Sequence, residues 1–281
     1  MRRIIAIVLS VVLICTALVS CGNDSTKDFE RVRASGKLVV GMECAYAPYN
    51  WTVSTPSETT HPIANNPGAY ADGYDVEIAR IIAATLNVDL EIIAIEWDGL
   101  VPALEAGEID MIIAGMSPTE ERKLSISFSD TYYDSDLVMV VNKNSAYASA
   151  TSISDFSGAR ITGQLNTFHY SVIDQISGVN KTTALQDFSA LIQSLQSGVI
   201  DGYVCEKPGA ISAVASNPDF TYVEFADGEG FTYDPTSSSI AVGVRLGSDL
   251  VHSINFAISG LSDEEREIMM EAAIARQPNA E

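Results

Sequence analysis

Leu100-Val-Pro-Ala-Leu104-Glu-Ala-Gly107-Glu-Ile109-Asp110-Met-Ile-Ile-Ala-Gly115 aligns without a gap on Leu191-Ile-Gln-Ser-Leu195-Gln-Ser-Gly198-Val-Ile200-Asp201-Gly-Tyr-Val-Cys-Glu206. Leu, Leu, Gly, Ile and Asp coincide at one constant spacing. Each stretch reads as a short helix stopped at a glycine, a turn, and an apolar strand. A weaker echo sets Leu38-Val39-Val40-Gly41 against Arg160-Ile161-Thr162-Gly163. A supersecondary unit used twice implies two α/β lobes of similar build.

Outward from the repeat, the alternation continues. Residues 28–34 read as a short helix ended by Gly36, and 37–41 as a strand. Residues 73–87 place Val76, Ala79, Ile82, Ala83 and Leu86 on one helical face, and 90–95 form a strand. Strands alternating with helices point to an α/β fold with mostly parallel central sheets flanked by helices. Residues 52–71 are rich in Pro, Asn, Ser and Thr without periodicity, so they read as a surface loop at the cleft mouth or against a partner. Ser262 and Glu265 form a capping box that opens an amphipathic helix over 261–276.

The N-terminus reads as an export signal. Met1-Arg2-Arg3 is a basic lead, residues 4–19 are apolar, and Leu18-Val19-Ser20-Cys21-Gly22 resembles the bacterial lipobox, with Cys21 as the lipid acceptor. A membrane-spanning anchor is the rival reading, but the run is short for one and stops at small residues. The division expected is 1–20 signal peptide, 21–36 lipidated tether and short helix, 37–135 plus 240–281 lobe 1, and 136–239 lobe 2. The lobes join through crossovers near 133–138 and 232–240.

The 281-residue chain has 37 acidic against 16 basic residues, a net charge of −21. A field of that sign repels phosphate backbones, which excludes nucleic acid as a partner. No metal-ligand spacing or cofactor motif occurs. His61, His169 and His252 stand singly, which fits surface or structural roles. Cys44 and Cys205, on different lobes, read as two free, semi-buried thiols.

In open α/β sheets the ligand sits beyond the carboxyl ends of the strands. Those ends are 43–46, 115–119, 166–168 and Glu206, so Met116, Asn166, Thr167 and Phe168 join the candidate set. Ser117, Pro118 and Glu120 have the pattern of a capped helix start with a positive dipole end at the cleft. Arg122 would add a planar fork for a carboxylate; an ordinary capped helix with a solvated arginine is the alternative. Glu206 on the opposite lip would complement it, and the two together match the charged ends of an α-amino acid. Tyr46 and Trp97 are placed to sandwich a side chain.

These residues also carry a resemblance. Val40-Gly-Met-Glu-Cys-Ala-Tyr46-Ala-Pro-Tyr49, Gly73-Tyr-Asp75-Val-Glu-Ile-Ala79, Gly107-Glu-Ile-Asp110, Gly115-Met-Ser-Pro-Thr-Glu-Glu-Arg122 and Phe128-Ser-Asp-Thr-Tyr-Tyr133 resemble motifs of the family 3 solute-binding proteins, the polar amino-acid receptors of ABC importers. The resemblance spans 37–276 and implies a type II periplasmic-binding-protein fold with a hinged cleft. It implies that Arg122, with Ser117 and the Thr167 region, holds the ligand carboxylate. Glu206 stands where the family usually has Asp and, with Gly115 and Ser117, receives the ammonium. Tyr46 and Trp97 stack on the side chain, whose far end meets Glu43. An acid there suits arginine or lysine, with the amide of glutamine as the alternative. The partners implied are a free amino acid, a membrane permease and the membrane itself through Cys21, with the receptor a monomer. Asn166 departs from a usual Gly. An enzyme using Glu43 and Glu206 as an acid–base pair is the rival function, since dehydratases share the fold.

Overall fold

The structure, a computed structural model, describes residues 25–278. The expected signal segment and Cys21 lie outside the described residues.

The elements, in chain order, are α1 (Asp28–Ser35), β1 (Lys37–Met42), β2 (Ala45–Tyr46), β3 (Asn50–Val53), β4 (His61–Pro62), β5 (Tyr70–Asp72), α2 (Tyr74–Leu86), β6 (Asp89–Ala94), α3 (Leu100–Ala106) and β7 (Met111–Ile112). Then come β8 (Ile126–Tyr133), β9 (Leu137–Asn142), β10 (Arg160–Thr162), α4 (Phe168–Val172), β11 (Asn180–Lys181), α5 (Phe188–Gln196) and β12 (Gly202–Glu206). The chain ends with α6 (Lys207–Ser216), β13 (Phe220–Val223), β14 (Ile240–Arg245), α7 (Leu250–Ser259) and α8 (Asp263–Arg276).

Two five-stranded sheets have the same plan. Lobe 1 runs β6-β1-β7-β14-β8 and lobe 2 runs β11-β10-β12-β9-β13. In each, the first three strands are parallel and the last two pairings antiparallel. The mostly parallel arrangement expected from sequence thus holds for four strands of each sheet. Only the fourth strand runs against the rest, because it arrives from the opposite lobe; the fifth, antiparallel to the fourth, points the same way as the first three. β9 enters lobe 2 directly after β8, and β14 enters lobe 1 after β13.

The internal repeat superimposes on this plan. α3 and α5 are followed by Gly107 and Gly198 at φ 75° and 71°, a left-handed turn that glycine adopts without a Cβ clash. Asp110 then accepts the Val39 N–H at 2.8 Å, and Asp201 accepts the Arg160 N–H, also at 2.8 Å. Each aspartate therefore ties its own strand to the neighbouring parallel one. Val40 lies beside Met111 and Ile161 beside Gly202, so Val39, not Leu38, corresponds to Arg160. The weaker echo was one residue out because two short apolar runs match in several registers.

Helix α2 buries Val76, Ala79, Ile82, Ala83 and Leu86 as its period requires and stops at Asn87, φ 54°. The capping box at Ser262 and Glu265 opens α8. Residues 52–71 correct the expectation of a plain loop. They finish β3 and supply β4 and the start of β5 in a small antiparallel sheet, order β2-β3-β5-β4. Ala64 N–H bonds to Ile92 O at 2.8 Å, and Arg80 donates to the carbonyls of Glu58 and Thr60. The segment thus covers the free edge of β6, which would otherwise expose unpaired backbone groups. Strands of two residues leave no periodic trace in sequence.

Candidate functional site

The carboxyl ends of β1, β7, β10 and β12 converge between the lobes. There Tyr46, Trp97, Gly115, Ser117, Arg122, Gln164, Thr167, Phe168 and His169 line one small pocket. The lobes touch directly across it. An apolar cluster continues from Tyr46, Tyr49 and Trp51 of lobe 1 to Phe188, Leu191 and Tyr203 of lobe 2.

Glu206 ends β12, whose side chains alternate: Val204 packs into the core of lobe 2, while Tyr203 and Cys205 face the cluster shared with lobe 1. Its carboxylate is fully buried. Burial alone pushes such a group up, but the His169 ring beside it and the hydrogen bond from Tyr46 outweigh it and hold Glu206 below the ordinary carboxylate value. Tyr46 donates its hydroxyl to Glu206 and stacks flat on Phe188, centroids 4.0 Å apart. His169 Nε2 lies 2.9 Å from Glu206 Oε1.

Arg122 comes from the opposite lip. Its guanidinium lies over the Trp97 ring at 5.0 Å, a cation–π contact. It donates to Ser117 O at 2.9 Å and, across the cleft, to Asn166 O at 3.1 Å. No carboxylate pairs with it among the described residues, and burial lowers its pKa to about 10 against the opposing pull of Glu121 and Glu206. A cation bonded only to neutral carbonyls inside a cleft is poised for an anion.

The expected helix start at Ser117 is not there. Residues 115–119 are irregular, and a single 3₁₀ turn forms at Arg122–Leu124. Ser117 spends its carbonyl on Arg122 rather than on a helix, and the chain enters β8 at Ile126 before a second turn can form. The lip therefore presents the arginine itself, with no helix dipole behind it. Met116 also departs from the candidate set: its side chain is buried with Trp97, Leu100 and Ile126, and its carbonyl accepts the Ala241 N–H.

The other candidates fall around the pocket. Glu43 is buried behind Gln164, whose Nε2 donates to it at 3.1 Å. Burial raises the Glu43 carboxyl to about 7, with Asp187, Glu96 and Asp98 adding to the rise and Gln164 opposing it. Asn166 has φ 56°, a left-handed geometry that Asn tolerates, which explains how it can replace a glycine. Its amide also donates to Asp98 at 2.8 Å, closing the lip. Thr167 donates to Gln164 O at 2.7 Å. Phe168 packs edge-on against Tyr233. Both cysteines are free and fully buried rather than semi-buried, and burial pushes Cys44 up to about 12, which makes it a poor nucleophile.

Sequence reasoning missed Phe188, Gln164 and His169. Extending the repeat by three residues sets Phe188 on Trp97, so that signal was present. The corrected register sets Gln164 on Glu43, two equivalent positions that meet across the cleft. His169 had no signal, being a lone histidine. It is 5% exposed and part of the cleft wall, not a surface residue.

A two-lobed α/β protein with a cation on one lip of an interlobe cleft and an anion on the other is a binding protein of the periplasmic type II class. The chain belongs to the bacterial extracellular solute-binding proteins, family 3, whose model matches residues 38–266. It is 25% identical over 249 residues to the arginine-binding extracellular protein ArtP of Bacillus subtilis, covering 88% of each chain. A probable histidine-binding protein of Campylobacter jejuni is 29% identical over 220 residues, covering 77% of this chain and 79% of its own. Among solved structures, an amino-acid ABC transporter substrate-binding protein from Streptococcus pneumoniae bound to L-arginine superimposes with a TM-score of 0.76 at 26% identity. It covers 88% of this chain and 98% of that one.

Proposed function

We propose that the protein is the extracytoplasmic substrate-binding component of an amino-acid ABC importer and captures a cationic amino acid between its two lobes. The observation that carries this is the pair of Arg122 and Glu206, charged groups of opposite sign on opposite lips of one cleft. Arg122 takes the ligand carboxylate and Glu206 its ammonium. Each charge-assisted bond contributes roughly 1.5–3 kcal/mol when both partners are matched. Binding across both lobes favours the closed form, and that form is what a permease would recognise.

The cationic preference rests on Glu43. Its carboxyl stands among Asp187, Glu96 and Asp98, so the far end of the site is strongly negative. A guanidinium or ammonium arriving there relieves that repulsion, while the amide of glutamine gains a hydrogen bond only. The names of the relatives, arginine- and histidine-binding, agree in class.

The protein binds and does no chemistry on this reading. Tyr46 and Gln164 engage Glu206 and Glu43 separately, and both cysteines are buried beneath the site. Among the described residues no group of His, Cys, Asp or Glu could hold a metal, and no helix is long and apolar enough to cross a membrane. Attachment to the outer face of the cytoplasmic membrane would come from lipid on Cys21, with the protein acting as a monomer.

A thermal-shift titration against arginine, lysine, histidine, glutamine and cystine tests this. The true ligand stabilises the fold by about 2.7 kcal/mol at a hundredfold excess over its dissociation constant. Arg122→Ala and Glu206→Ala should each weaken binding roughly ten- to hundredfold without unfolding the protein. Silence across the panel, or unchanged affinity in both variants, overturns the assignment.

A further inference from the structure

His169 is buried in the cleft wall, and the function proposed above gives it no task. Its ring, on the first turn of α4, is flanked by Phe168 at 5.1 Å and Phe188 at 6.5 Å. Nε2 approaches Glu206 Oε1 to 2.9 Å, yet Nδ1, Nε2 and Oε1 all lack a hydrogen-bond partner in good geometry. Buried polar atoms are ordinarily satisfied. A ring nitrogen 2.9 Å from a buried carboxylate oxygen, with neither atom in a well-formed hydrogen bond, is a contact that an incoming N–H donor can replace.

We propose that His169 is a proton-linked stand-in for the ligand: its imidazolium neutralises Glu206 while the cleft is free of amino acid, and the incoming α-ammonium displaces that charge. The inference rests on Glu206 being the ammonium acceptor. In the exchange the ring's proton leaves to solvent, the ammonium keeps its three hydrogens, and the carboxylate faces one positive charge before and after. The neutral ring then offers a nitrogen lone pair to one ammonium N–H. Both cations cannot share one buried carboxylate without repelling each other, so capture expels a proton.

The charged and titratable groups around the ring agree with this direction. Glu206 faces it from β12, and Tyr46 of β2 donates to the same carboxylate. Arg122 lines the same pocket from the opposite lip and adds positive charge. Tyr233 packs on Phe168, while Asp174 beyond α4 pairs outward with Lys181, and Lys207 pairs with Glu224. Glu43 also titrates near neutrality, but it contacts Gln164 and not His169, so its contribution is common to any variant at 169.

Calorimetric titration with L-arginine from pH 5 to pH 8, in two buffers of different ionisation heat, reads the proton directly. The His169 ring should add up to one proton to the release on binding, and up to about tenfold per unit to the fall of affinity as pH falls. His169→Gln should bind with less proton release and a correspondingly shallower slope. An identical slope and release in His169→Gln overturns the proposal. Should that variant misfold, the ring Hε1 resonance of His169 in the unaltered protein serves instead. Arginine should lower its protonated fraction at fixed pH, and no change in that fraction would overturn the idea. If L-arginine, L-histidine and L-cystine all fail to bind at every pH, the receptor reading itself is wrong. Binding without proton release removes only the role of His169.

Discussion

The units β1–α3–β7 of lobe 1 and β10–α5–β12 of lobe 2 are built alike, yet their matching aspartates live in different surroundings. Asp110 has 4% of its side chain exposed and sits among Arg31 at 2.6 Å, Arg245 at 3.7 Å and the Val39 N–H. Arg245 in turn holds Asp28 of α1, which also accepts from Ser248. Asp201 is 27% exposed and, among the described residues, pairs with Arg160 alone. The same carboxylate-to-strand bond is thus embedded in a buried network in one lobe and left near the surface in the other. The cleft ends diverge in a second way: Gly115 answers to Glu206, Glu43 to Gln164, and Trp97 to Phe188. A repeated scaffold presents equivalent positions face to face, and unlike side chains at those positions turn two similar lobes into a polar site.

The comparison predicts effects of graded size. Asp110→Ala should destabilise lobe 1 by about 3–5 kcal/mol in denaturant unfolding, because it leaves Arg31 and the buried Arg245 short of a counter-charge. A loss no greater than that at Asp201 would break the contrast.

A smaller effect separates Glu43 from its counterpart Gln164. With its carboxyl raised to about 7, the folded protein holds a proton that the unfolded chain has lost, between roughly pH 4.5 and 7. The stability this brings is present at low pH and is lost as pH rises through that window. Glu43→Gln should therefore match the parent near pH 4.5 and exceed it at pH 8, on the order of 2 kcal/mol in melting experiments without ligand. Parallel curves across this range would remove the case for a destabilised acid at the far end of the site.

The smallest change is expected at Asp201→Ala, about 1 kcal/mol, the worth of one partly exposed ion pair and a strand-end hydrogen bond. Urea unfolding with a resolution of a few tenths of a kcal/mol suffices. A cost comparable to Asp110→Ala would show that the strand-tying bond, and not the buried network, dominates both lobes.

Much of the scaffold was legible beforehand. The helix at Leu100–Ala106, the face of Tyr74–Leu86, the glycine stops and the capping box at Ser262 all depend on neighbours within one or two turns. Arg122 and Glu206 were legible as candidates too, the first in the segment between β7 and β8 and the second as the last residue of β12. The Ser117 capping pattern misled because β8 begins too soon for the helix to extend. The small sheet within residues 50–72 escaped notice because its strands are held by cross-strand partners and by the edge of β6 rather than by their own pattern.

Sequence alone therefore determined the two-lobed α/β plan, its repeated unit and the residue types at the strand ends, because periodicity, turns and caps are short-range properties. Only the tertiary structure decided which of those residues meet. Tyr46 on Phe188, Gln164 on Glu43, Asn166 on Asp98 and Arg122, and His169 on Glu206 are contacts between residues remote in sequence or brought together at strand ends. All but the last pair cross from one lobe to the other, and their partners are chosen by how two rigid sheets dock, which no local pattern encodes.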